Sequence, residues 1–191
     1  MIGITGGIGS GKSVVSRILR LRGLPVYDCD LEAKRIMDSS GEVLRALNGR
    51  FGDEVCPPGG PICRPELARH VFGDDEVRLW LNSLVHRLVR DDVAAWSRRI
   101  QAAGCRQCFV ESAILASSGL AAMCDEVWLV TAPEPERVAR VAARDAADPD
   151  HIRKRIIAQK QEEDLLRASG IRIVAVDNSA PSSLLCQLPH P

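Results

Sequence analysis

Gly6-Gly7-Ile8-Gly9-Ser10-Gly11-Lys12-Ser13 decides how this chain folds, because the stretch fits the pattern G-x-x-x-x-G-K-[ST] in full. It follows a short apolar run over residues 1–5, which predicts a buried strand, and it opens a helical pattern over residues 11–22. Glycines let main-chain N–H groups converge on a compact anion, and the N-terminus of the following helix adds positive partial charge. The stretch therefore predicts a loop that holds the phosphates of a nucleotide.

The loop also predicts its own ligands. A lysine at the end of such a loop reaches the β- and γ-phosphates, and the next hydroxyl ligates Mg²⁺. ATP and Mg²⁺ are therefore the expected cofactors. The expected contacts are Lys12, Ser13 and the main chain of Gly7, Ile8, Gly9, Ser10 and Gly11.

Short apolar runs alternate with helical stretches on both sides of this loop, a pattern typical of a parallel α/β sheet. We predict a three-layer α/β/α fold with a parallel sheet of about five strands. Val14, Val15, Ile18 and Leu19 are expected to share the buried face of the first helix. The tail from Pro181 is expected to be partly frayed. The expected strands cover residues 1–5, 24–27, 108–111, 127–131 and 172–176, and the segment 31–100 reads as a helical insertion.

Composition narrows the class of protein. The chain has 191 residues, with 25 Lys plus Arg against 25 Asp plus Glu, and this zero net charge disfavours a general nucleic-acid binder. No apolar run approaches the roughly 20 residues that span a bilayer, and the N-terminus has no secretory pattern. We expect a cytoplasmic protein, a monomer or small homo-oligomer, whose partners are small molecules rather than nucleic acid or membrane.

The seven cysteines are odd in number and irregularly spaced, which disfavours a disulfide framework. Cys105 and Cys108 form a single CxxC, whereas a structural zinc site needs four ligands. Zinc stays a minor alternative, and reduced thiols are the main expectation.

Acidic and basic residues near the predicted ligand edge favour a kinase over other nucleotide-binding proteins. No Asn-Lys-x-Asp motif for guanine is present. Asp28 and Asp30 follow the second strand, where parallel strands face a ligand crevice. We expect Asp30 to act as a base and Asp28 to contact magnesium or its waters, although an aspartate here can also cap a helix. His86 and Arg90, four residues apart on one helix, are candidates for an anionic acceptor.

A basic helix is predicted after Pro135. Arg137, Arg140 and Arg144 share one of its faces. If this helix is part of a mobile flap over the phosphates, its arginines can neutralise the negative charge of the transferring phosphoryl group. A solvated surface helix has the same pattern, so both interpretations stay open here.

Taken together, these motifs resemble the dephospho-coenzyme A kinase family. The resemblance runs from Ile2 to about Gln161. Its most telling stretch is Thr5 to Ser13, TGGIGSGKS, and the chain departs from the family pattern at Arg87 and around residues 113–118. The other motifs that carry the resemblance are Asp28-Cys29-Asp30, Lys34, Phe51-Gly52, Arg64 to Leu67, His86 with Arg90, Arg140 with Arg144-Asp145, and Arg155 with Gln159.

This resemblance implies transfer of the ATP γ-phosphate to the ribose 3′-hydroxyl of dephospho-coenzyme A, the last step of coenzyme A synthesis. Another nucleoside or nucleotide kinase, or an ATP-dependent switch protein, is the alternative. The resemblance to dephospho-coenzyme A kinases also implies three parts: a nucleotide-binding core (residues 1–30, 101–133 and 161–191), an acceptor-binding domain (31–100) and a lid (134–160). The implied site comprises Lys12, Asp30, Arg140 and Arg144 for catalysis, Asp30, Lys34, His86 and Arg90 for the acceptor, Ser13 and Asp28 for the metal, and Asn178 near the adenine.

Overall fold

The computed structural model describes residues 1–146, 148–179 and 184–189 of the chain. It divides into two compact units, one made of Met1–Asp28 with Ala95–Pro191 and the other of Cys29–Ala94. Within the described ranges, every helix is too short or too polar to cross a lipid bilayer.

A five-stranded parallel sheet forms the centre of the first unit. Its strands are β1 (Ile2–Thr5), β2 (Val26–Asp28), β3 (Phe109–Glu111), β4 (Glu126–Thr131) and β5 (Ile173–Asp177). They lie in the order β2-β3-β1-β4-β5. The prediction of a parallel sheet of about five strands is confirmed. Central β1 places Ile4 opposite Glu111 on one side and Trp128 on the other. Because all strands run the same way, their carboxyl ends meet at one edge, and the glycine-rich loop leaves from the middle of it.

Helix α1 (Lys12–Leu21) packs on this sheet with a face that differs from the predicted one. Val15 and Leu19 are fully buried as expected, but Val14 is 49% exposed, so its assignment to that face is wrong. Ser16 is buried in its place. Each residue turns a helix by about 100°, so the face centred between Val15 and Leu19 includes position 16 and leaves position 14 at its edge.

Residues 184–189 of the C-terminal segment, for which the sequence predicted partial fraying, pack against the core of the first unit. Leu184, which begins the short helix α9 (Leu184–Gln187), and Leu188, which follows it, are both buried in the same core cluster as α1. Arg22 holds this segment, since its guanidinium donates to the carbonyls of Leu185, Leu188 and Pro189 at 2.7–2.9 Å. Pro181 itself lies outside the described residues. Burial of these two leucines therefore holds residues 184–189 on the core.

Three further helices of the first unit follow β4: α6 (Glu134–Asp145), α7 (Pro149–Ala158) and α8 (Lys160–Ala168). Pro135 occupies the first turn of α6, as predicted, where its missing N–H costs nothing. Val138 and Val141 of α6 and Ile152 of α7 are buried together. Helices α6 and α7 lie within residues 134–160, and this stretch, which the sequence predicts to be a lid, is called the lid segment below.

The second unit is helical, and none of its described residues forms a strand. Its helices are α2 (Cys29–Ser39), α3 (Gly41–Phe51), α4 (Arg64–Gly73) and α5 (Asp75–Ala102), of which α5 continues into the first unit. Buried residues recur every four positions along α5, as Leu81, Val85 and Val89 show. An ion pair between Arg35 of α2 and Asp92 of α5, 3.1 Å long, joins two of these helices.

Candidate active site

The glycine-rich loop occupies the position from which it can receive phosphate. It connects the buried central strand β1 to the first turn of α1. Gly9 and Gly11 have φ values of 77° and 97°, which side-chain-bearing residues rarely adopt. Gly11 is also the residue directly before α1, so the helix N-terminus points its N–H groups at the loop interior.

Lys12 and Ser13 follow directly in the first turn of α1. The ammonium group of Lys12 folds back over the loop and donates to the carbonyl of Gly6 at 2.6 Å. This position keeps a cation at the centre of the loop. The Ser13 hydroxyl points in a different direction, toward the end of the neighbouring strand.

Glu111 at the end of β3 receives that hydroxyl. Ser13 Oγ donates to Glu111 Oε1 at 3.1 Å, while Glu111 Oε2 is buried with no hydrogen-bond partner among the described residues. Asp28, at the end of β2, is the residue paired with Glu111 across the two strands. A buried carboxylate oxygen without a partner is costly, and a divalent cation with its waters is the group that would satisfy it. Ser13 and Glu111 therefore fit Mg²⁺, with Asp28 beside them.

Glu111 is a site residue that the sequence reasoning missed. The available signal was an acidic residue at the end of a buried strand, but only the strand order places that strand end beside the loop. No group of three or more His, Cys, Asp or Glu side chains poised to hold a metal occurs in the described part of the chain. Protein oxygens would thus supply only part of a Mg²⁺ shell, as is usual when phosphates and waters complete it.

The tip of the loop is held by the lid segment. Ile8 inserts its side chain among Val138, Val141 and Ile152. Its main chain is held from both sides, because Ile8 N donates to Gln159 Oε1 at 2.6 Å and Ile8 O accepts from Arg137 Nε at 2.9 Å. Ile8 therefore connects the loop to the lid segment through both its side chain and its main chain.

The two predicted lid arginines have different surroundings. Arg140 Nη2 donates to Glu136 at 2.8 Å and to the carbonyl of Asn178 at 2.7 Å, and its other terminal nitrogen lies 3.5 Å from Gly9 O. Arg144 is exposed and binds its neighbour Asp145 at 2.6 and 2.8 Å. That contact lowers the pKa of Asp145 and raises the pKa of Arg144. The structure brings Arg140 to the loop, and Arg144 bonds to the lid instead.

Asn178, predicted near the adenine, follows β5 and braces the loop. Its Nδ2 donates to Ser10 O at 2.7 Å, and a Cβ on Gly11 would collide with that amide nitrogen. Asp177 fixes the turn by accepting hydrogen bonds from Ser179 N and Oγ at 3.0 and 2.9 Å. Any role of Asn178 toward a base stays a prediction.

The predicted acceptor residues lie in the second unit. Asp30 and Lys34 are exposed on the first two turns of α2, one turn apart. His86 and Arg90 are half-buried on α5, also one turn apart. Their four-residue spacing places each pair on one helix face, and their roles stay predictions.

The cysteines have ordinary structural surroundings. Cys105 is exposed and Cys108 is buried, and both are free thiols. Cys124 is half-buried beside β1, where burial raises the pKa of its thiol to about 12. It is therefore a protonated, unreactive thiol at neutral pH.

A cavity of about 340 Å³ opens between the loop and the lid segment. Its walls include Thr5, Gly6 and Gly7 on one side and Arg137 and Gln159 on the other. The space is large enough for a phosphoryl group with part of the molecule that carries it. A triphosphate tail held by the loop would border this cavity.

Comparison with known proteins identifies the family. Residues 1–182 match the family model for dephospho-CoA kinase. The dephospho-CoA kinase of Porphyromonas gingivalis is 40% identical over 187 residues, covering 98% of this chain and 90% of the relative. A solved structure from Thermus thermophilus (TT1252) has a TM-score of 0.73 at 34% identity, covering 94% of this chain and 88% of the other.

The dephospho-CoA kinase of Campylobacter jejuni has a TM-score of 0.66 at 22% identity, covering 94% of this chain and 89% of the other, and supports the fold. Shikimate kinase of Bacteroides thetaiotaomicron has the same fold, with a TM-score of 0.50 at 13% identity over 91% of this chain and 84% of the other. The predicted P-loop α/β/α architecture is therefore confirmed. By its sequence over nearly its full length and by its fold, the chain belongs to the dephospho-CoA kinase family.

Proposed function

We propose that the protein transfers the γ-phosphate of ATP to the ribose 3′-hydroxyl of dephospho-CoA, producing coenzyme A and ADP. The observation that carries this proposal is the family match over residues 1–182, with the phosphate loop complete at Gly6 to Ser13. The products correspond to the final step of coenzyme A synthesis. The reaction forms one P–O bond at the acceptor and breaks the bond between the β–γ bridging oxygen and the γ-phosphorus.

The phosphate loop is proposed to bind the triphosphate through its main-chain N–H groups. Lys12 would exchange its bond to Gly6 O for phosphate oxygens, since its ammonium already lies over the loop. Ser13 and Glu111, with Asp28 beside them, would hold Mg²⁺ directly or through waters. When bound, that ion neutralises charge on the β- and γ-oxygens.

Asp30 is proposed as the base that orients the acceptor hydroxyl and takes its proton. It is exposed in the first turn of α2 and is therefore accessible to a substrate. Lys34, His86 and Arg90 are proposed to bind the anionic groups of dephospho-CoA, since cations attract phosphates. Residues 31–100 would thus serve as the acceptor-binding domain and residues 134–160 as the lid over the core.

We also propose that the enzyme works in the cytoplasm as a monomer or small homo-oligomer. Its zero formal net charge supports small-molecule substrates rather than nucleic acid as partners. Size-exclusion chromatography with light scattering measures the oligomeric state directly.

An acceptor screen tests the activity. Purified protein with MgATP is offered dephospho-CoA, adenosine, AMP and shikimate, and ADP release is followed by a coupled assay. We expect turnover with dephospho-CoA at least about 100-fold above the other acceptors, because a site built for its polar groups rejects molecules that lack them. Mass spectrometry and ³¹P NMR then identify the product as 3′-phosphorylated.

Lys12→Ala serves as the control for that screen, since it should abolish ATP use while leaving the fold intact. Preferred turnover of another acceptor would favour a different nucleoside or nucleotide kinase. ATP hydrolysis that no acceptor changes would favour an ATP-dependent switch.

A further inference from the structure

Arg137 of α6 contacts the phosphate loop through both its side chain and its main chain. Its Nε donates to Ile8 O at 2.9 Å, and a Cβ on Gly7 would collide with its Nη2. The guanidinium therefore occupies space beside Gly7 that a side chain at that position would fill. The main chain of Arg137 is close as well, since a Cβ on Gly9 would lie 2.5 Å from its carbonyl oxygen.

The charge of Arg137 is not matched by a carboxylate. Arg140 pairs with Glu136 and Arg144 with Asp145, but Arg137 has no acidic side chain within 4.0 Å among the described residues. Burial lowers the pKa of Arg137, and the charges of Glu134 and Glu163 raise it. A guanidinium keeps its proton at neutral pH regardless, so a half-buried cation remains beside the loop.

The two nearby carboxylates are engaged elsewhere. Glu163 binds Arg167 at 2.6 Å, and Glu134 lies 3.9 Å from Arg153. Both line the 340 Å³ cavity together with Arg137, Lys160 and Glu162. The carboxylate of Glu162 accepts hydrogen bonds from the main-chain N–H groups of Ala116 and Ser117 at 2.5–3.3 Å. Arg137 thus presents a cation to the cavity from the lid segment, and its remaining N–H donors are not used by an acidic side chain of the described residues. A guanidinium offers five donors in a planar fork that matches phosphate oxygens.

Arg140, by contrast, is committed to the structure. One of its terminal nitrogens bonds both Glu136 and the carbonyl of Asn178. This arrangement ties α6 to the end of β5. Moving Arg140 onto a phosphate would break an ion pair and a strand-end contact, whereas Arg137 would exchange only one bond to a loop carbonyl.

We propose that Arg137 is a further catalytic arginine of the lid segment and contacts the transferring phosphoryl group in the cavity. This inference rests on the proposed phosphotransferase function. Arg137 releases Ile8 O when ATP binds and turns its guanidinium toward the γ-phosphoryl oxygens. Charge on these oxygens is then balanced from the lid side by Arg137 and from the loop side by Lys12.

Three variants test the proposal: Arg137→Ala, Arg137→Lys, and Lys154→Ala as a control at an exposed cation of the same lid segment. We expect Arg137→Ala to lower kcat by about 10²–10³-fold, as loss of a preorganised donor does, while the Kd for MgADP changes less than about threefold. Arg137→Lys should fall between Arg137→Ala and the wild type, because it keeps the charge and loses the fork. Lys154→Ala should stay within about threefold of wild type.

A second measurement does not depend on turnover. MgADP with aluminium fluoride, a mimic of the transferring phosphoryl group, should raise the melting temperature of the wild type above that with MgADP alone. Arg137→Ala should lose this additional increase, and guanidine added to Arg137→Ala should restore part of the lost kcat. An unchanged kcat and an unchanged aluminium fluoride response in Arg137→Ala would overturn the proposal.

An equal loss of MgADP affinity, melting temperature and kcat in both Arg137 variants would also overturn it, because it would assign Arg137 a structural role. The wild type tests the proposed function separately. Absence of phosphoryl transfer to dephospho-CoA in the wild type contradicts that function, while the aluminium fluoride experiment, which uses no acceptor, still tests Arg137.

Discussion

At the scale of single residues, Asp30 carries the proton-transfer part of the proposed reaction. We expect Asp30→Asn to lower kcat by about 10²–10⁴-fold, because an amide does not accept the hydroxyl proton. The KM for ATP should change little, since Asp30 belongs to the second unit and the phosphate loop to the first. Steady-state kinetics with dephospho-CoA measure both.

Asp38→Asn is the matched control for this prediction. Asp38 lies on the same helix, exposed and paired with Arg64 at 2.6 Å. Its replacement should leave kcat within about twofold of wild type. Wild-type turnover in Asp30→Asn would remove Asp30 from the proton transfer.

A second prediction at the scale of single residues concerns Glu111 and the binding of Mg²⁺. Its buried, unpartnered Oε2 and its contact with Ser13 indicate a site for Mg²⁺ or for waters that surround it. We expect Glu111→Gln to raise the Mg²⁺ concentration for half-maximal activity by about tenfold or more, since a negative charge beside the ion is lost. The melting temperature without ligand should not fall, because the variant no longer buries an unpaired charge.

The control is Glu126→Gln, at the start of β4 and so at the opposite edge of the same sheet. It should leave the Mg²⁺ dependence unchanged. An identical Mg²⁺ dependence in Glu111→Gln and wild type would contradict the metal assignment.

At the scale of elements, local patterns predicted the strands and the phosphate loop well, because these depend on neighbours in sequence. Apolar runs ending in glycine placed β1, and Pro135 marked the start of α6. The sequence did not predict Glu111 as a site residue, because its partner Ser13 is 98 residues away and is brought close only by the strand order. Arg137 could not be separated from Arg144 by spacing, since both lie on one helix face and differ only in what they contact.

The connection between the loop and the lid segment is testable as a unit. Ile8 fills the space among Val138, Val141 and Ile152, so Ile8→Ala removes the side chain that joins them. Large-to-small changes of this kind cost about 2–5 kcal/mol, and here the cost should fall on the lid segment. We expect faster amide hydrogen exchange in peptides covering α6 and α7, measured by mass spectrometry, with little change in the sheet.

Val14→Ala is the control, because Val14 lies in α1 near the loop and is 49% exposed. It should leave exchange in α6 and α7 unchanged. Equal exchange in Ile8→Ala and wild type would show that the lid segment is held without Ile8.

At the scale of the whole molecule, residues from near both ends of the chain pack together in one hydrophobic core cluster. Leu184 and Leu188 pack in the same cluster as Ile2 and Ile4 of the central strand. Arg22 adds hydrogen bonds to the carbonyls of Leu185 and Leu188. Because these contacts join the two ends of the sequence, the first unit should not fold fully without residues 184–189.

Two variants, Leu188→Ala and Leu185→Ala, distinguish the stability that comes from side-chain burial from the stability that comes from the backbone contacts of the segment. Leu188 is 3% exposed and Leu185 is 56% exposed. We expect Leu188→Ala to lower the free energy of unfolding by about 2–5 kcal/mol and Leu185→Ala by no more than about 0.5 kcal/mol, measured by urea denaturation. Both variants keep the carbonyls that Arg22 binds, so a difference between them reports side-chain burial. Equal stability of the two variants would mean that the C-terminal segment contributes through its backbone contacts and not through the core.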